Sequence, residues 1–305
     1  MKSLKRTIVE WRLRSRTIEL GQRTLVMGVV NITPDSFSDG GLFVDPEAAV
    51  THALELLDEG AEILDLGAES TRPGSRVGSA AASAPAVSAE EEQARLLPVL
   101  EGILAARPEA IVSVDTYKAT TARAALAAGA EIVNDVSGFQ WDAEMAAICA
   151  EANCGVVLMQ TRGRPEAWRT LPQLAPDELL ATVRGGLEAS LAAAARAGVA
   201  SESIVLDPGY GFGKRFDENY ALLARQAELL SLGRSLVAGV SRKSFLGHTL
   251  TSLYGQQSAA VEARETASIA ALVAAILYGA SIVRVHAVRP AVEAALIADA
   301  VLRAH

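Results

Sequence analysis

The chain has 305 residues, of which 50% are hydrophobic and 21% charged, enough for one large domain or two ordinary ones around a substantial core. A net charge of −8 with no Lys/Arg block excludes bulk attraction to nucleic acid or to an anionic membrane, and leaves room only for a local basic pocket that takes a small anion. Cys149 and Cys154 make no CxxC pattern and read as reduced thiols of a cytoplasmic protein.

The N-terminal "MKSLKRTIVEWRLRSR" is basic but has no apolar h-region, so no signal peptide is expected. Residues 1–22 precede the first strand pattern and are expected to form a small hairpin or lid across the bottom of the fold. Residues 23–305 then carry eight short β-branched runs: "RTLVMGVV", "AEILDLG", "AIVSVD", "EIVND", "GVVLMQ", "SIVLDPG", "SLVAGVS" and "SIVRVH". They are continuous apolar runs, as parallel strands buried on both faces require.

Helical patterns separate them. The first has Asp45 as N-cap, Pro46 at its first position and Gly60 after its end. The second opens on Ser88 and Glu91, a capping-box spacing, with Pro98 expected to kink it. Further helices are expected near 118–128, 142–152, 177–198, 217–231, 258–279 and 290–303. The apolar "IAALVAAILYGASIV" is short and broken by Gly, so it reads as a buried helix followed by a strand rather than a membrane span. The Ala/Ser-rich residues 73–88 read as a long loop after the second run. Eight strand–helix units imply an α/β fold, a closed single-domain (β/α)8 TIM barrel. An open doubly wound sheet would more often carry a GxGxxG turn after its first strand, which is missing here.

In a parallel barrel the C-terminal strand ends build the site. Unusual polar residues gather at those ends: Asn31 on the first run, Glu69 to Arg72 after the second, Asp115, Asn134 and Asp207 on the third, fourth and sixth, Ser241 to Lys243 after the seventh, and Arg284 and His286 on the eighth. A lone Asp there is ordinarily a helix cap and a lone Asn a turn residue. Polar residues at seven ends together are harder to assign to caps. Arg284 and His286 are two apart and therefore face the same way, with Val285 and Ala287 turned toward the helices. Two inward cations need an anion, a ring, or a core carboxylate in an ion pair. With Lys243 and Asn31 they outline a phosphate pocket. Asp115, Asn134 and Asp207 form a second group, suited to a ring edge that presents N–H and NH2 donors.

Taken in order, "NITPDSFSDGG", "ESTRPG", "SVDTYK", "NDVSG", "DPGYGFGK", "SRKSFLG" and "RVH" resemble the signature segments of dihydropteroate synthases, over about residues 24–288. The resemblance implies a transferase of folate biosynthesis. It would join 6-hydroxymethyl-7,8-dihydropterin diphosphate to p-aminobenzoate, releasing diphosphate and 7,8-dihydropteroate, with no covalent enzyme intermediate. It implies that Asp115, Asn134, Asp207, Lys243 and Arg284 hold the pterin, and that Asn31, Arg284 and His286 hold diphosphate with Mg2+ beside Asn31. Thr71, Arg72, Phe37, Phe212 and Ser244 would shape the p-aminobenzoate site. Phe37 and Asp39 would lie on a mobile loop, with Asp115, Lys243, Arg284, His286 and Asp39 as the catalytic set. It further implies a homodimer and a sulfonamide target. The chain departs from the family pattern at Gln160, where His is usual, and at Ala287, where Asp usually follows the His. Two other readings remain at this stage: a pterin-dependent methyltransferase of the same fold, and a catalytically impaired pterin-binding paralogue.

Overall fold

The structure, a computed structural model, describes residues 6–33, 45–69, 87–255 and 257–304. An antiparallel hairpin comes first, β1 (Val9–Arg12) and β2 (Thr17–Leu20). Eight parallel strands follow: β3 (Leu25–Asn31), β4 (Ile63–Gly67), β5 (Ile111–Asp115), β6 (Ile132–Asp135), β7 (Gly155–Met159), β8 (Ile204–Asp207), β9 (Leu236–Ala238) and β10 (Ala280–Val285). They close in the order β10-β3-β4-β5-β6-β7-β8-β9. Closure is made by β10 against β3, with Ile282 opposite Leu25 and Arg284 opposite Met27, so the open-sheet alternative does not apply. All eight runs read from the sequence become barrel strands.

The helices outside are α1 (Pro46–Asp58), α2 (Ala89–Ala106), α3 (Ala119–Ala127), α4 (Met145–Ala152), α5 (Pro176–Ala197), α6 (Phe216–Arg225), α7 (Ser244–Thr249), α8 (Glu265–Leu277) and α9 (Val288–Arg303). The first two start where their caps dictate. Asp45 accepts a hydrogen bond from the Glu47 amide at 2.9 Å, and Ser88 Oγ accepts one from the Glu91 amide at 3.1 Å. Helix α2 runs on through Pro98 without a break. Helix α8 starts at Glu265, later than the expected 258, and the short α7 has no counterpart in the sequence reading.

Strand alternation divides the apolar residues into two sets. Val30, Leu64, Leu66, Val112, Val114 and Val133 face outward and pack under the helices. Met27, Ile63, Ile132, Val157, Val205, Val237 and Ile282 face the barrel axis and join Trp11, Leu13 and Leu20 of the hairpin region. The N-terminal segment therefore stoppers the barrel from below. Trp11 is 1% exposed, and its Nε1 donates to the Ser203 carbonyl at 2.8 Å. Burying such a ring contributes at most roughly 4–6 kcal/mol. Gly155 makes room for Leu13 beside it, since a Cβ there would lie 2.6 Å from Leu13 Cδ2.

Two acids on the bottom face are bonded to backbone amides. Glu131 accepts from the Ser15 amide at 2.8 Å, and Glu62 accepts from the Val26 amide at 2.7 Å. With the lower interior filled by hydrocarbon, polar side chains that point inward can reach solvent or a ligand only at the upper end.

Candidate active site

At the C-terminal ends of the strands lies a cavity of about 360 Å3. Twelve residues singled out in the sequence line it: Asn31, Glu69, Asp115, Asn134, Asp207, Phe212, Ser241, Arg242, Lys243, Ser244, Arg284 and His286. Phe37, Asp39, Thr71 and Arg72 lie outside the described residues. Gly67 and Gly239 keep the floor open. A Cβ on Gly239 would sit 3.7 Å from Asp207 Oδ2 and 4.0 Å from Arg284 Cβ.

The floor is organised by an ion-pair network. Arg284 Nε donates to Asp65 Oδ2 at 2.5 Å, and its Nη2 donates to Asp115 Oδ2 at 2.7 Å. Asn134 Nδ2 donates to the same Asp65 oxygen at 3.0 Å. Asp115 is therefore paired within the protein: a guanidinium crosses the barrel to meet it. The ion-pair alternative weighed for Arg284 holds, although the arginine still reaches the cavity wall. Asp65 was not singled out in the sequence. It lies beneath the floor at 0% exposure and holds Arg284 and Asn134 in place. Its signal was present, because "AEILDLG" carries one charge in the middle of a run that burial should make apolar.

Burial pushes the Asp115 carboxyl up to about 7 against the pull of Arg284, with Asp65 and Glu92 adding repulsion and Lys243 opposing it. Asp207 is also raised, again by burial first, although it accepts the Gly209 amide at 2.7 Å and feels Lys243 and Arg284. Behind the wall, Asp135 shapes the turn after β6 by accepting the Ser137 and Phe139 amides at 2.7 and 2.8 Å.

On the opposite side, Ser241 Oγ lies 3.0 Å from His286 Nδ1 and accepts the His286 amide at 3.3 Å. Arg242 between Ser241 and Lys243 is left-handed, with φ +57°. That conformation strains a residue with a side chain. Ser268 Oγ accepts its amide at 2.9 Å, and Arg264 Nη1 donates to its carbonyl at 3.1 Å, so α8 holds the turn that presents Lys243. The Lys243 ammonium stands 4.1 Å from the centre of the Phe212 ring, a cation–π contact. Trp168, also missed in the sequence, meets Phe212 edge-to-face with centroids 5.3 Å apart and lines the cavity. It sits in the loop after β7, where an aromatic residue carries no periodic signal.

The two departures from the family pattern lie off the cavity wall. Gln160 is 5% exposed beneath the loop after β8, where its Oε1 accepts from Lys214 Nζ at 2.7 Å. Ala287 occupies the N-cap of α9, which has no side-chain cap there.

This is a (β/α)8 barrel with an acid-and-amide group and a cationic group on one cavity, and residues 27–286 match the pterin binding enzyme family. The chain belongs to that family, and within it to the dihydropteroate synthases. It is 41% identical to the dihydropteroate synthase of Bacillus subtilis over 281 residues, 92% of this chain and 90% of that one. The structure of the Xanthomonas albilineans dihydropteroate synthase with 4-aminobenzoic acid matches with a TM-score of 0.83 at 39% identity, over 97% of this chain and 98% of that one. The Yersinia pestis dihydropteroate synthase with a sulfonamide drug matches with a TM-score of 0.85 at 36% identity, over 97% of this chain and 100% of that one.

Proposed function

We propose that this chain condenses 6-hydroxymethyl-7,8-dihydropterin diphosphate with p-aminobenzoate to give 7,8-dihydropteroate and diphosphate. The observation that carries the reading is that one cavity is lined by the acceptors Asp115, Asn134 and Asp207 and also by Lys243, Arg284 and His286. The acceptors suit the N–H and NH2 edge of the pterin. The cations, with Asn31, suit the diphosphate.

Magnesium belongs to this reading as a proposal. Among the described residues no group of three or more His, Cys, Asp and Glu is arranged to hold a metal ion. Mg2+ commonly takes one or two protein oxygens and fills the rest of its shell with substrate phosphates and water. The Asn31 amide oxygen at the end of β3 fits such a partial shell. The ion would supply charge neutralisation of the leaving diphosphate.

The chain's own residues do the remaining work. Lys243, Arg284 and His286 stabilise charge that builds on the departing diphosphate. The ionised carboxylates near the pterin stabilise positive charge that spreads into the ring from the exocyclic methylene. Phe212 and Ser244 position the aniline nitrogen of p-aminobenzoate for attack, which supplies rate through proximity. No covalent nucleophile is required. The methyltransferase alternative has no need of the diphosphate-binding set. The impaired-paralogue alternative rested on Gln160 and Ala287, and neither lines the cavity.

The test is purified protein with dihydropterin diphosphate and Mg2+, with diphosphate release followed with and without p-aminobenzoate. Dihydropteroate formation that depends on p-aminobenzoate is expected, and its absence overturns the proposal. A second copy of the chain is the proposed partner. Leu296, Ile297 and Val301 leave an apolar strip on α9 that is 61%, 69% and 45% exposed. Sedimentation equilibrium is expected to return twice the monomer mass for the native chain and a lower mass for Ile297→Glu.

A further inference from the structure

Lys214 closes the "DPGYGFGK" segment and has no part in the chemistry above. It is 7% exposed, which is rare for a lysine. Its Nζ donates to Gln160 Oε1 at 2.7 Å, to the Gly209 carbonyl at 2.8 Å, to the Gln160 carbonyl at 3.2 Å and to the Phe212 carbonyl at 3.4 Å. The segment 208–214 thus folds over its own terminal ammonium and is tied to the end of β7. The loop cannot sit farther away or closer. Gly209 has φ +71° and packs so near that a Cβ would lie 1.9 Å from the Gln160 carbonyl oxygen. The Gln160 amide in turn donates to the Asp207 carbonyl at 3.0 Å. Asp207 at the start of this segment and Tyr210, Gly211 and Phe212 within it line the cavity, and of these Asp207 and Phe212 are the two assigned to substrate above.

We propose that Lys214, anchored by Gln160, is a positioning residue that sets Phe212 and Asp207 against the substrates, so that the side chain of Gln160 acts on p-aminobenzoate binding without touching it. This rests on the reaction proposed above. Burial lowers the Lys214 pKa to about 7, and the charged groups that face it are Asp207 on β8, Glu218 on α6, Arg162 after β7 and Lys243 after β9. The anchor therefore weakens as the ammonium loses its proton above neutrality.

Three measurements test the proposal. In the free protein, Lys214→Met is expected to speed amide hydrogen exchange in 208–214 by about tenfold or more, as loss of hydrogen bonds to a charged group implies, with the β3 peptide unchanged. At saturating dihydropterin diphosphate it is expected to raise the KM for p-aminobenzoate about tenfold while kcat falls less, because the reacting atoms keep their own contacts. Gln160→Met, which removes one acceptor, is expected to shift both readouts the same way by a smaller factor, so the test survives if Lys214→Met does not fold. Gln160→Glu, which keeps the acceptor and adds a charge, is expected to preserve the native KM at pH 7 and to move its alkaline rise to higher pH. Unchanged exchange in 208–214 would refute the anchor. Faster exchange with an unchanged KM would refute the positioning role. A native protein that makes no dihydropteroate refutes the reaction but leaves the exchange result standing, so the two failures are distinguishable.

Discussion

Replacing Arg284 by Met is the sharpest probe of the cavity floor. The substitution keeps the aliphatic stem and deletes the guanidinium between Asp65, at 2.5 Å, and Asp115, at 2.7 Å. Asp65 is fully buried, so water cannot take over the lost partner. Removing one member of a buried ion pair costs about 3–5 kcal/mol. For a 305-residue chain the entropy of unfolding near the midpoint is about 0.6 kcal/mol per degree, so the expected fall in Tm is about 5–8 °C. The pH dependence has a definite sign. At pH 5 Asp115 is already neutral, since its carboxyl is raised to about 7, and only the pair with Asp65 is lost. At pH 8 Asp115 is ionised and loses its partner as well, so the destabilisation is larger there. Differential scanning calorimetry or urea unfolding at both pH values measures this. Adding Asp65→Leu to Arg284→Met is expected to recover part of the loss, because a whole buried pair can be replaced by apolar groups at little cost. A loss below about 1 kcal/mol, or a smaller loss at pH 8 than at pH 5, would show that the network does not organise the floor.

Two further outcomes follow from the same geometry. Because the Asp115 carboxyl is raised to about 7, its own contribution to stability is full below the ordinary carboxylate range and is lost as pH rises through about 7. Its accepting form for the pterin edge appears over that same rise, so calorimetric affinity for a pterin is expected to strengthen between pH 6 and pH 8. Asp115→Asn is expected to flatten that slope, and an unchanged slope in the variant would point to another group. Ala287→Asp supplies the missing N-cap of α9 and is expected to stabilise the protein by about 1 kcal/mol, or about 1.5 °C in Tm. No gain in Tm would show that the α9 terminus is satisfied in some other way.

Much of this protein can be read from local sequence. The eight apolar runs are each long enough to span a barrel wall, and Asp45 and Ser88 start their helices by bonding amides two and three residues away. The i, i+2 spacing of Arg284 and His286 determines that both face the same way, whatever the rest of the chain does. Strand ends with polar residues likewise mark the catalytic face, because one end of a parallel barrel collects every such end.

Partners across the barrel are another matter. Arg284 is 219 residues from Asp65 and 169 from Asp115, and only closure of β10 on β3 brings them into one network. The same holds for Lys214 and Gln160, 54 residues apart, and for the placement of Trp11 under the barrel. Local sequence sets which way a side chain points, because backbone geometry repeats every two or 3.6 residues. Which charge meets which, and hence which acid is neutral near pH 7, depends on burial and on distances between strands. Those distances exist only once the barrel is closed.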